Sequence, residues 1–322
     1  VAPSRGLGDV YKRQVIYGTI WNSPNIGVES LEGIININKP SGITSFDVIR
    51  VLRRVLKEKR IGHTGTLDPL AEGVLVVCLG RVTRLVQDIE GYSKIYTAGF
   101  ELGYRTDTYD IEGKTIEESE KKSATRDELD RVLKKFIGDI KQIPPMYSAL
   151  KVDGQKLYDL ARKGIEVERK ARDIHIDFIE VLEFDGVKGK IRCGVSKGTY
   201  IRSLIDDMGR ELGTLATMNS LVREKVGDSS IDKAFTLEDI ERLHNEGDSS
   251  FLQSVEEFFA YPQLEIEEGK NLTLFLNGNT IRHQSPNGRY RVYCQNKFLG
   301  LANVNNNLLK GCLLYTSPSP RD

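Results

Sequence analysis

One carboxylate, Asp68, stands in a loop whose residues restrict the backbone. It lies in the run Gly-His-Thr-Gly-Thr-Leu-Asp-Pro-Leu-Ala-Glu-Gly at residues 62–73, between apolar segments at residues 48–56 and 74–79. Pro69 removes a backbone donor and pushes Asp68 out of the helical region. A carboxylate fixed in this way at the edge of a core is suited to nucleophilic or electrostatic catalysis. The ordinary interpretation of an Asp-Pro pair is a turn that closes a strand.

The whole twelve-residue run resembles the catalytic loop of the TruB family, the bacterial tRNA pseudouridine-55 synthases. Other motifs of that family follow in the same order, and together they span roughly residues 33–225. The resemblance implies an isomerase that acts on uridine 55 in the T-loop of tRNA. The uridine is flipped out of its stack, its glycosidic bond breaks, and the base rotates and rejoins the ribose through carbon 5. This chemistry requires no cofactor, whether metal or redox.

The resemblance assigns three catalytic roles. Asp68 matches the aspartate that attacks either the ribose or the uracil ring. Arg202 ends the run Ser-Lys-Gly-Thr-Tyr-Ile-Arg and matches an arginine that pairs with this aspartate. The planar guanidinium of Arg can bind a carboxylate at two points, which the ammonium of Lys does less well. Tyr96 matches a tyrosine that stacks on the target base and whose hydroxyl could serve as a general base. The alternatives are a structural ion pair elsewhere for Arg202 and a core position for Tyr96.

The remaining matches concern RNA binding. His63 matches a histidine that helps to display the flipped nucleotide, although a His after Gly is more often a turn residue. Tyr200 is expected to line the same pocket. Pro-Pro-Met-Tyr-Ser-Ala-Leu-Lys at residues 144–151 resembles a segment that flanks the RNA cleft, so Tyr147 and Lys151 are interpreted as RNA contacts. Four further basic residues are interpreted as RNA contacts: Arg84, Lys39, Arg53 and Arg54. The motif around Lys39 is otherwise interpreted as architectural.

Periodicity predicts the elements that must position these residues. Thr44 or Ser45 can cap a helix in which apolar residues recur at helical spacing as far as Leu56. Residues 96–102 and 111–118 are predicted to pair with each other as strands. Further predicted elements are strands at residues 33–38, 74–79, 174–184 and 190–195, and helices at residues 127–136, 155–163 and 201–212.

The resemblance implies the α+β pseudouridine-synthase fold, a long mixed and mostly antiparallel sheet flanked by helices. The catalytic domain is predicted over residues 33–235, and an acidic, weakly patterned connecting segment over residues 236–260. Residues 261–311 alternate short apolar pieces with Asn-Gly and Pro-Asn-Gly turns, an all-β pattern. This part resembles the small RNA-binding PUA module, and we expect the module to be truncated.

Both ends of the chain are interpreted as foreign. Codons can be chosen so that the DNA for residues 4–14 is the reverse complement of the DNA for residues 312–322. This relation is expected of a sequencing-library adapter read once on each strand. Residues 1–14 and 312–322 are therefore predicted to be adapter-derived and are excluded from the fold. Residues 15–32 are assigned to no domain, a non-native leader being one interpretation.

The charges are balanced overall but segregated along the chain. The sequence has 46 Lys and Arg against 46 Asp and Glu. Basic side chains concentrate between Arg50 and His63, whereas the acidic excess lies at residues 112–130 and 232–268. Since binding to RNA follows the local potential, this distribution permits a tRNA partner, bound through its T-loop and T-arm. An ordinary solvated helix face is the alternative for the basic cluster.

Composition narrows the remaining expectations. The chain is 39% hydrophobic and 29% charged, typical of a soluble globular protein, and no membrane span or signal peptide is predicted. The scattered cysteines and histidines indicate neither a disulfide framework nor a metal site. We therefore expect a cytoplasmic monomer with no membrane association and no obligate protein partner.

Three other functions compete with the leading one. The first is the guide-RNA-dependent relative found outside bacteria, against which the short chain and the lack of a long basic extension argue. The second is a tRNA-binding or tRNA-folding factor with a decayed active site, which the presence of Asp68, Tyr96 and Arg202 opposes. The third is an unrelated hydrolase with an Asp nucleophile, which would need its own activating base or metal cluster.

Overall fold

The structure is a computed structural model that describes residues 31–152 and 154–315. Its strands are β1 (Gly33–Lys39), β2 (Ile61–His63), β3 (Glu72–Leu79), β4 (Lys94–Leu102), β5 (Tyr104–Thr106), β6 (Thr115–Glu118), β7 (Gly138–Gln142), β8 (Lys151–Val152), β9 (Gln155–Lys156), β10 (Arg172–Phe184), β11 (Lys188–Val195), β12 (Ala216–Val226), β13 (Ser229–Ser230), β14 (Gln263–Glu265), β15 (Ile281–Arg282), β16 (Gly288–Cys294), β17 (Lys297–Asn305) and β18 (Leu308–Leu314). Its α-helices are α1 (Ser45–Leu56), α2 (Val86–Glu90), α3 (Arg126–Leu133), α4 (Leu157–Arg162), α5 (Ile201–Leu212), α6 (Leu237–Asn245), α7 (Val255–Phe258) and α8 (Lys270–Leu276). Among the described residues, no helix combines the length and the apolar content needed to cross a bilayer.

A mixed sheet of nine strands carries the loop that contains Asp68. Its strands follow the order β1–β3–β12–β4–β11–β10–β7, with β2 added beside β3 and β13 beside β12. Only the β3–β12 pair is parallel among these described strands. The helices α3 and α5 pack against one part of the sheet through a shared apolar core, and α1 and α6 against another. This architecture is the mixed, mostly antiparallel sheet with flanking helices that the resemblance implies.

The parallel pair β3–β12 approaches very closely at one glycine. Gly73 pairs with Arg223 and has φ +102°. A Cβ atom at Gly73 would lie 2.3 Å from the carbonyl oxygen of Arg223, well inside van der Waals contact. Only glycine combines this backbone conformation with this spacing, so the last residue of the Asp68 run is fixed by packing between strands.

The helix α1 begins and ends as its sequence predicts. The Thr44 hydroxyl accepts a hydrogen bond from the Asp47 amide, and the Asp47 carboxylate accepts one from the Thr44 amide, which forms a capping box. Val48, Leu52 and Leu56 are buried against the sheet, so the basic side chains of α1 face outward. The predicted end of α5 is also confirmed, because Gly213 follows it with φ +68°, the left-handed conformation that glycine adopts readily.

The predicted pairing of residues 96–102 with 111–118 is wrong. The first segment is β4, which lies between β11 and β12 in the large sheet. The second contains β6, which pairs with β5 in a separate two-stranded hairpin. Gly103, with φ +107°, separates β4 from β5. The exposed side chains of β6 have no buried face to contribute, whereas β4 is buried in the centre of the sheet.

Residues 236–260, predicted to be a connecting segment, contain the helices α6 and α7. Capping boxes at Thr236 and Ser254 start α6 and α7. Leu237, Ile240 and Leu243 of α6 pack in the same apolar core as α1. Leu237, Ile240 and Leu243 recur at a spacing that matches a helix. The acidic residues between them make this apolar periodicity weak, so the sequence did not predict α6.

The C-terminal module is a five-stranded sheet in the order β14–β16–β17–β18–β15. The strand β18, between β17 and β15, extends past residue 311, where the predicted module ends, because Leu313 continues the buried face of the strand against Leu301. Both leucines also contribute to an apolar cluster with Ile34 of β1 and Val76 of β3. The predictions made for residues 1–30 and 316–322 lie outside the described residues.

Two cysteines sit inside the large sheet as free thiols. Cys78 and Cys193 are fully buried, and burial raises the pKa of each thiol to about 12. Both are therefore protonated at neutral pH and act as small apolar side chains.

Candidate active site

The carboxylate of Asp68 meets the guanidinium of Arg202. The Nε atom of Arg202 lies 3.0 Å from Oδ2 of Asp68. The Arg202 side chain is only 5% exposed, whereas the Asp68 side chain is 34% exposed. The carboxylate is therefore bound on its buried side by Arg202 and is partly open to solvent on its other side. The structure thus brings together two residues that lie far apart in the sequence and that the motifs paired.

The other two nitrogens of Arg202 fix the direction of its guanidinium. Nη1 donates to the backbone carbonyl of Thr108 at 3.0 Å and lies 3.4 Å from Oδ2 of Asp110. Nη2 donates to the carbonyl of Tyr147 at 2.8 Å. With every nitrogen engaged, the planar group presents Nε to Asp68 and has little freedom to rotate.

Asp110 is a second carboxylate in the site, buried where Asp68 is half-open, and no motif indicates its role. It accepts hydrogen bonds from the Thr108 hydroxyl at 2.6 Å and from the Glu112 amide at 3.1 Å. Burial raises the pKa of Asp110, opposed by the Thr108 hydrogen bond and by the charge of Arg202. The run Thr-Asp-Thr-Tyr-Asp at residues 106–110 is rich in turn-forming side chains, so its sequence indicates only a connection between strands.

The connection from β1 to α1 holds the Asp68 loop in place. The hydroxyl of Ser45 accepts from the amide of Leu67 at 2.9 Å and donates to its carbonyl at 3.1 Å. The amide of Gly42 donates to the carbonyl of Pro69 at 2.8 Å. These bonds join the loop to the N-terminus of α1 on both sides of Asp68.

Lys39 also holds the Asp68 loop in place, through hydrogen bonds to backbone carbonyls. Its side chain is fully buried, and its ammonium donates to the carbonyls of Ala71 at 2.6 Å, Pro40 at 2.8 Å and Pro69 at 3.4 Å. Burial lowers the pKa of Lys39 to about 8. A buried ammonium surrounded by carbonyls cannot reach an RNA phosphate, so the interpretation of Lys39 as an RNA contact is not supported. Its role is architectural.

Replacement of Lys39 by Met should loosen the Asp68 loop. The carbonyls of Ala71, Pro40 and Pro69 would lose a shared donor, so we expect the free energy of unfolding to fall by about 2–4 kcal/mol. Urea denaturation followed by circular dichroism measures this loss. The exposed Lys59 offers a matched control, Lys59→Met, which should unfold as the wild type does. Equal urea midpoints for the two variants would contradict the assigned role.

The hydroxyl of Tyr96 lies beside Arg223, a residue for which no motif predicts a role. Arg223 of β12 is almost completely buried. Its Nε donates to the Val74 carbonyl at 2.7 Å, its Nη2 donates to the Gly65 carbonyl at 3.1 Å, and its Nη1 lies 3.5 Å from the Tyr96 hydroxyl. Tyr96 packs in the same core as Leu67. Arg223 thereby links the first half of the loop to the strand that carries Tyr96.

His63 and Tyr200 are half-buried. Within the described part of the chain, Nδ1 of His63 has no hydrogen-bond partner. Burial, together with the charge of Arg223, lowers the pKa of His63, so its ring is neutral at pH 7. The side-chain amide of Gln142 bonds both backbone groups of Tyr200, at 2.8 and 3.0 Å, and burial raises the pKa of Tyr200.

The other predicted RNA contacts lie outside the pocket or outside the described atoms. Arg53 and Arg54 are exposed on α1, and Arg84 is exposed beside β3. Tyr147 is half-buried and contributes its carbonyl to Arg202. The side chain of Lys151 lies outside the described part of the structure. Among the described residues, no group of three His, Cys, Asp or Glu side chains is placed to hold a metal ion.

Three family sequence models match the chain in succession. The TruB family pseudouridylate synthase N-terminal domain matches residues 53–201. The tRNA pseudouridylate synthase B C-terminal domain matches residues 202–259. The C-terminal model of pseudouridine synthase II TruB matches residues 262–311. The three matches cover both sides of the ion pair between Asp68 and Arg202.

Curated relatives align over most of the chain. The tRNA pseudouridine synthase B of Fusobacterium nucleatum is 55% identical over 288 residues, which cover 88% of this chain and 100% of the relative. The tRNA pseudouridine synthase B of Clostridium tetani is 45% identical over 280 residues, which cover 84% of this chain and 95% of the relative.

Solved structures share the fold at lower identity. One chain, from an H/ACA RNP bound to a substrate RNA containing 2′-deoxyuridine, is 24% identical with a TM-score of 0.65, covering 90% of this chain and 86% of that chain. Another, from an archaeal box H/ACA sRNP Nop10–Cbf5 complex, is 25% identical with a TM-score of 0.63, covering 90% and 87%. The predicted pseudouridine-synthase fold with a PUA-like C-terminal module is confirmed.

Proposed function

The chain belongs to the TruB family of pseudouridylate synthases, and we propose that it isomerises uridine 55 in the T-loop of tRNA to pseudouridine. The observation that carries this proposal is the ion pair between Arg202 and the half-open carboxylate of Asp68, 3.0 Å apart. The relatives named tRNA pseudouridine synthase B, which align over 95–100% of their own length, support tRNA as the substrate.

The reaction balances within the nucleotide itself. The bond from ribose C1′ to uracil N1 breaks, the freed base rotates, and a bond from C1′ to C5 forms. The proton on C5 leaves and N1 acquires one. Asp68 would attack either C1′ or the uracil ring, and both routes need an ionised carboxylate held beside a fixed cation. Arg202 supplies that cation from the buried side.

The other side chains would handle the base. Tyr96 packs in the same core as Leu67 of the loop, and its ring would stack on an unstacked uracil while its hydroxyl accepts the departing proton. The neutral ring of His63 and the half-buried Tyr200 would line the same pocket and help to keep the flipped nucleotide out of its stack.

Binding of the tRNA would rest on backbone charge and shape. The outward face of α1 carries Arg50, Arg53 and Arg54, all exposed, and Arg84 adds another exposed cation. Such side chains suit phosphate contacts, which supply affinity and register. Tyr147, Lys151 and the PUA-like module would extend this surface along the T-arm.

We propose that the chain acts alone, as a cytoplasmic monomer without an obligate protein partner. The identity to the tRNA pseudouridine synthase B of Fusobacterium nucleatum is 55%, against 25% for the chain from the archaeal Nop10–Cbf5 complex. This difference favours recognition of tRNA by the chain itself over guidance by a separate RNA.

Tritium release from a tRNA transcript labelled at C5 of uridine tests the proposed function. Because C5 loses its hydrogen only when the new bond forms, the wild-type chain should release one tritium per tRNA. A transcript whose T-loop uridine 55 is replaced by cytidine should bind equally well and release none. Release that persists from this transcript would refute the target, and tight binding without any release would indicate an RNA-binding factor instead.

A further inference from the structure

A second ion pair joins the helix of Arg202 to the loop of Asp110. Arg105 of β5 places its Nε 2.6 Å from Oδ1 of Asp206 on α5. The two side chains are 15% and 5% exposed, so solvent screens this pair far less than a surface pair. Asp206 follows Arg202 by one helical turn, and residues four apart lie on the same helix face. Arg202 and Asp206 therefore approach the same loop from one helix.

Arg105 also holds the residue that directly precedes Asp110. Its Nη2 donates to the hydroxyl of Tyr109 at 2.9 Å, and its guanidinium carbon lies 4.7 Å from the centre of the Tyr109 ring. Tyr109 has φ +66°, a left-handed conformation that costs a residue with a Cβ atom about 1–2 kcal/mol. Such a conformation persists only where surrounding contacts enforce it.

The backbone of Tyr109 determines where two partners of Arg202 lie. The carbonyl of Thr108 and the carboxylate of Asp110, on either side of Tyr109, both face Nη1 of Arg202. If Tyr109 relaxed to an ordinary conformation, both oxygens would move away from Nη1. The guanidinium would then be free to rotate, and its Nε would no longer be directed at Asp68.

We propose that Arg105, anchored on Asp206, is a positioning residue for the isomerisation. It enforces the Tyr109 backbone, which sets Asp110 and Thr108 against Arg202 and so fixes the direction in which Arg202 holds Asp68. Arg105 has no contact with Asp68 or Arg202 and acts only through this chain of contacts. The inference rests on the proposed function.

Single-turnover tritium release from labelled tRNA, with filter binding of the same tRNA, tests the role of Arg105. Arg105→Ala should lower the single-turnover rate constant by about 10–100-fold, while the Kd for tRNA stays within about twofold. Arg210→Ala is the matched control, since Arg210 also pairs with Asp206, at 3.0 Å, but lies on α5 and has no contact with Tyr109. This control should keep the wild-type rate within about twofold.

A double-mutant cycle distinguishes positioning from mere stability. Because Arg105 acts in part through Asp110, Arg105→Ala should slow the Asp110→Asn variant by a smaller factor than it slows the wild type. Multiplying effects, or a fast Arg105→Ala, would overturn the proposal. Should Arg105→Ala fail to fold, Arg105→Lys keeps a positive charge for Asp206 but loses the planar guanidinium that lies over the Tyr109 ring. It should still be slower than wild type at unchanged Kd, and wild-type speed would overturn the proposal. An inactive wild type would instead refute the proposed function.

Discussion

Asp68→Asn is expected to abolish pseudouridine formation while the Kd for tRNA stays within about tenfold of wild type. The amide keeps the shape of the carboxylate and its place in the loop but cannot attack carbon as a nucleophile. We therefore expect the single-turnover rate of tritium release to fall by more than about 10⁴-fold. Affinity should change little because phosphate contacts dominate RNA binding.

Filter binding of the same transcript separates the two roles of Asp68. Asp173→Asn is a matched control, since Asp173 is an exposed carboxylate paired with Lys141, and it should leave the rate unchanged. Loss of tRNA binding together with activity in the Asp68 variant would mean that Asp68 supports the RNA site rather than the chemistry.

Arg202→Lys is expected to lower the isomerisation rate by about 10²–10³-fold although the positive charge remains. A single ammonium cannot replace contacts that Nε, Nη1 and Nη2 make in three directions, to Asp68, to Asp110 and to the carbonyls of Thr108 and Tyr147. The buried Asp110 would lose part of its partner, so the free energy of unfolding should also fall, by about 2–3 kcal/mol.

The exposed pair of Arg126 with Asp130 provides the control for this substitution. Arg126→Lys makes the same chemical change at the surface and should alter neither the rate nor the urea midpoint appreciably. If Arg202→Lys kept the wild-type rate, charge alone would suffice beside Asp68, and the geometry of the guanidinium would not matter for the reaction.

The ion pair between Asp68 and Arg202 was predictable from the sequence, but the groups that direct it were not. Asp68 and Arg202 lie in motifs that resemble those of the TruB family, and this resemblance pairs them without coordinates. Asp110 and Arg223 carry no such signal, because a buried charge is defined by its neighbours in space. Arg223 also lies in β12, a central strand that was not predicted, since its sequence mixes charged residues with short apolar pieces.

Local rules predicted the elements whose cause is local. The cap of α1 at Thr44 and the end of α5 at Gly213 follow from single residues and their nearest neighbours. The partner of β4 does not, because strand pairing depends on which other strands the chain brings alongside. Lys39 shows the same limit, since the sequence identifies a lysine but not the three carbonyls that surround its ammonium.

The apolar cluster shared by β1, β3, β17 and β18 has a consequence for how the enzyme is made. It joins Ile34 of β1 to Leu301 of β17, and contacts between such distant residues slow folding because a long loop must close first. During synthesis, β1 emerges from the ribosome long before β17 does. The strand β1 therefore gains its final packing only after β17 has been translated, which delays a mature active site until then.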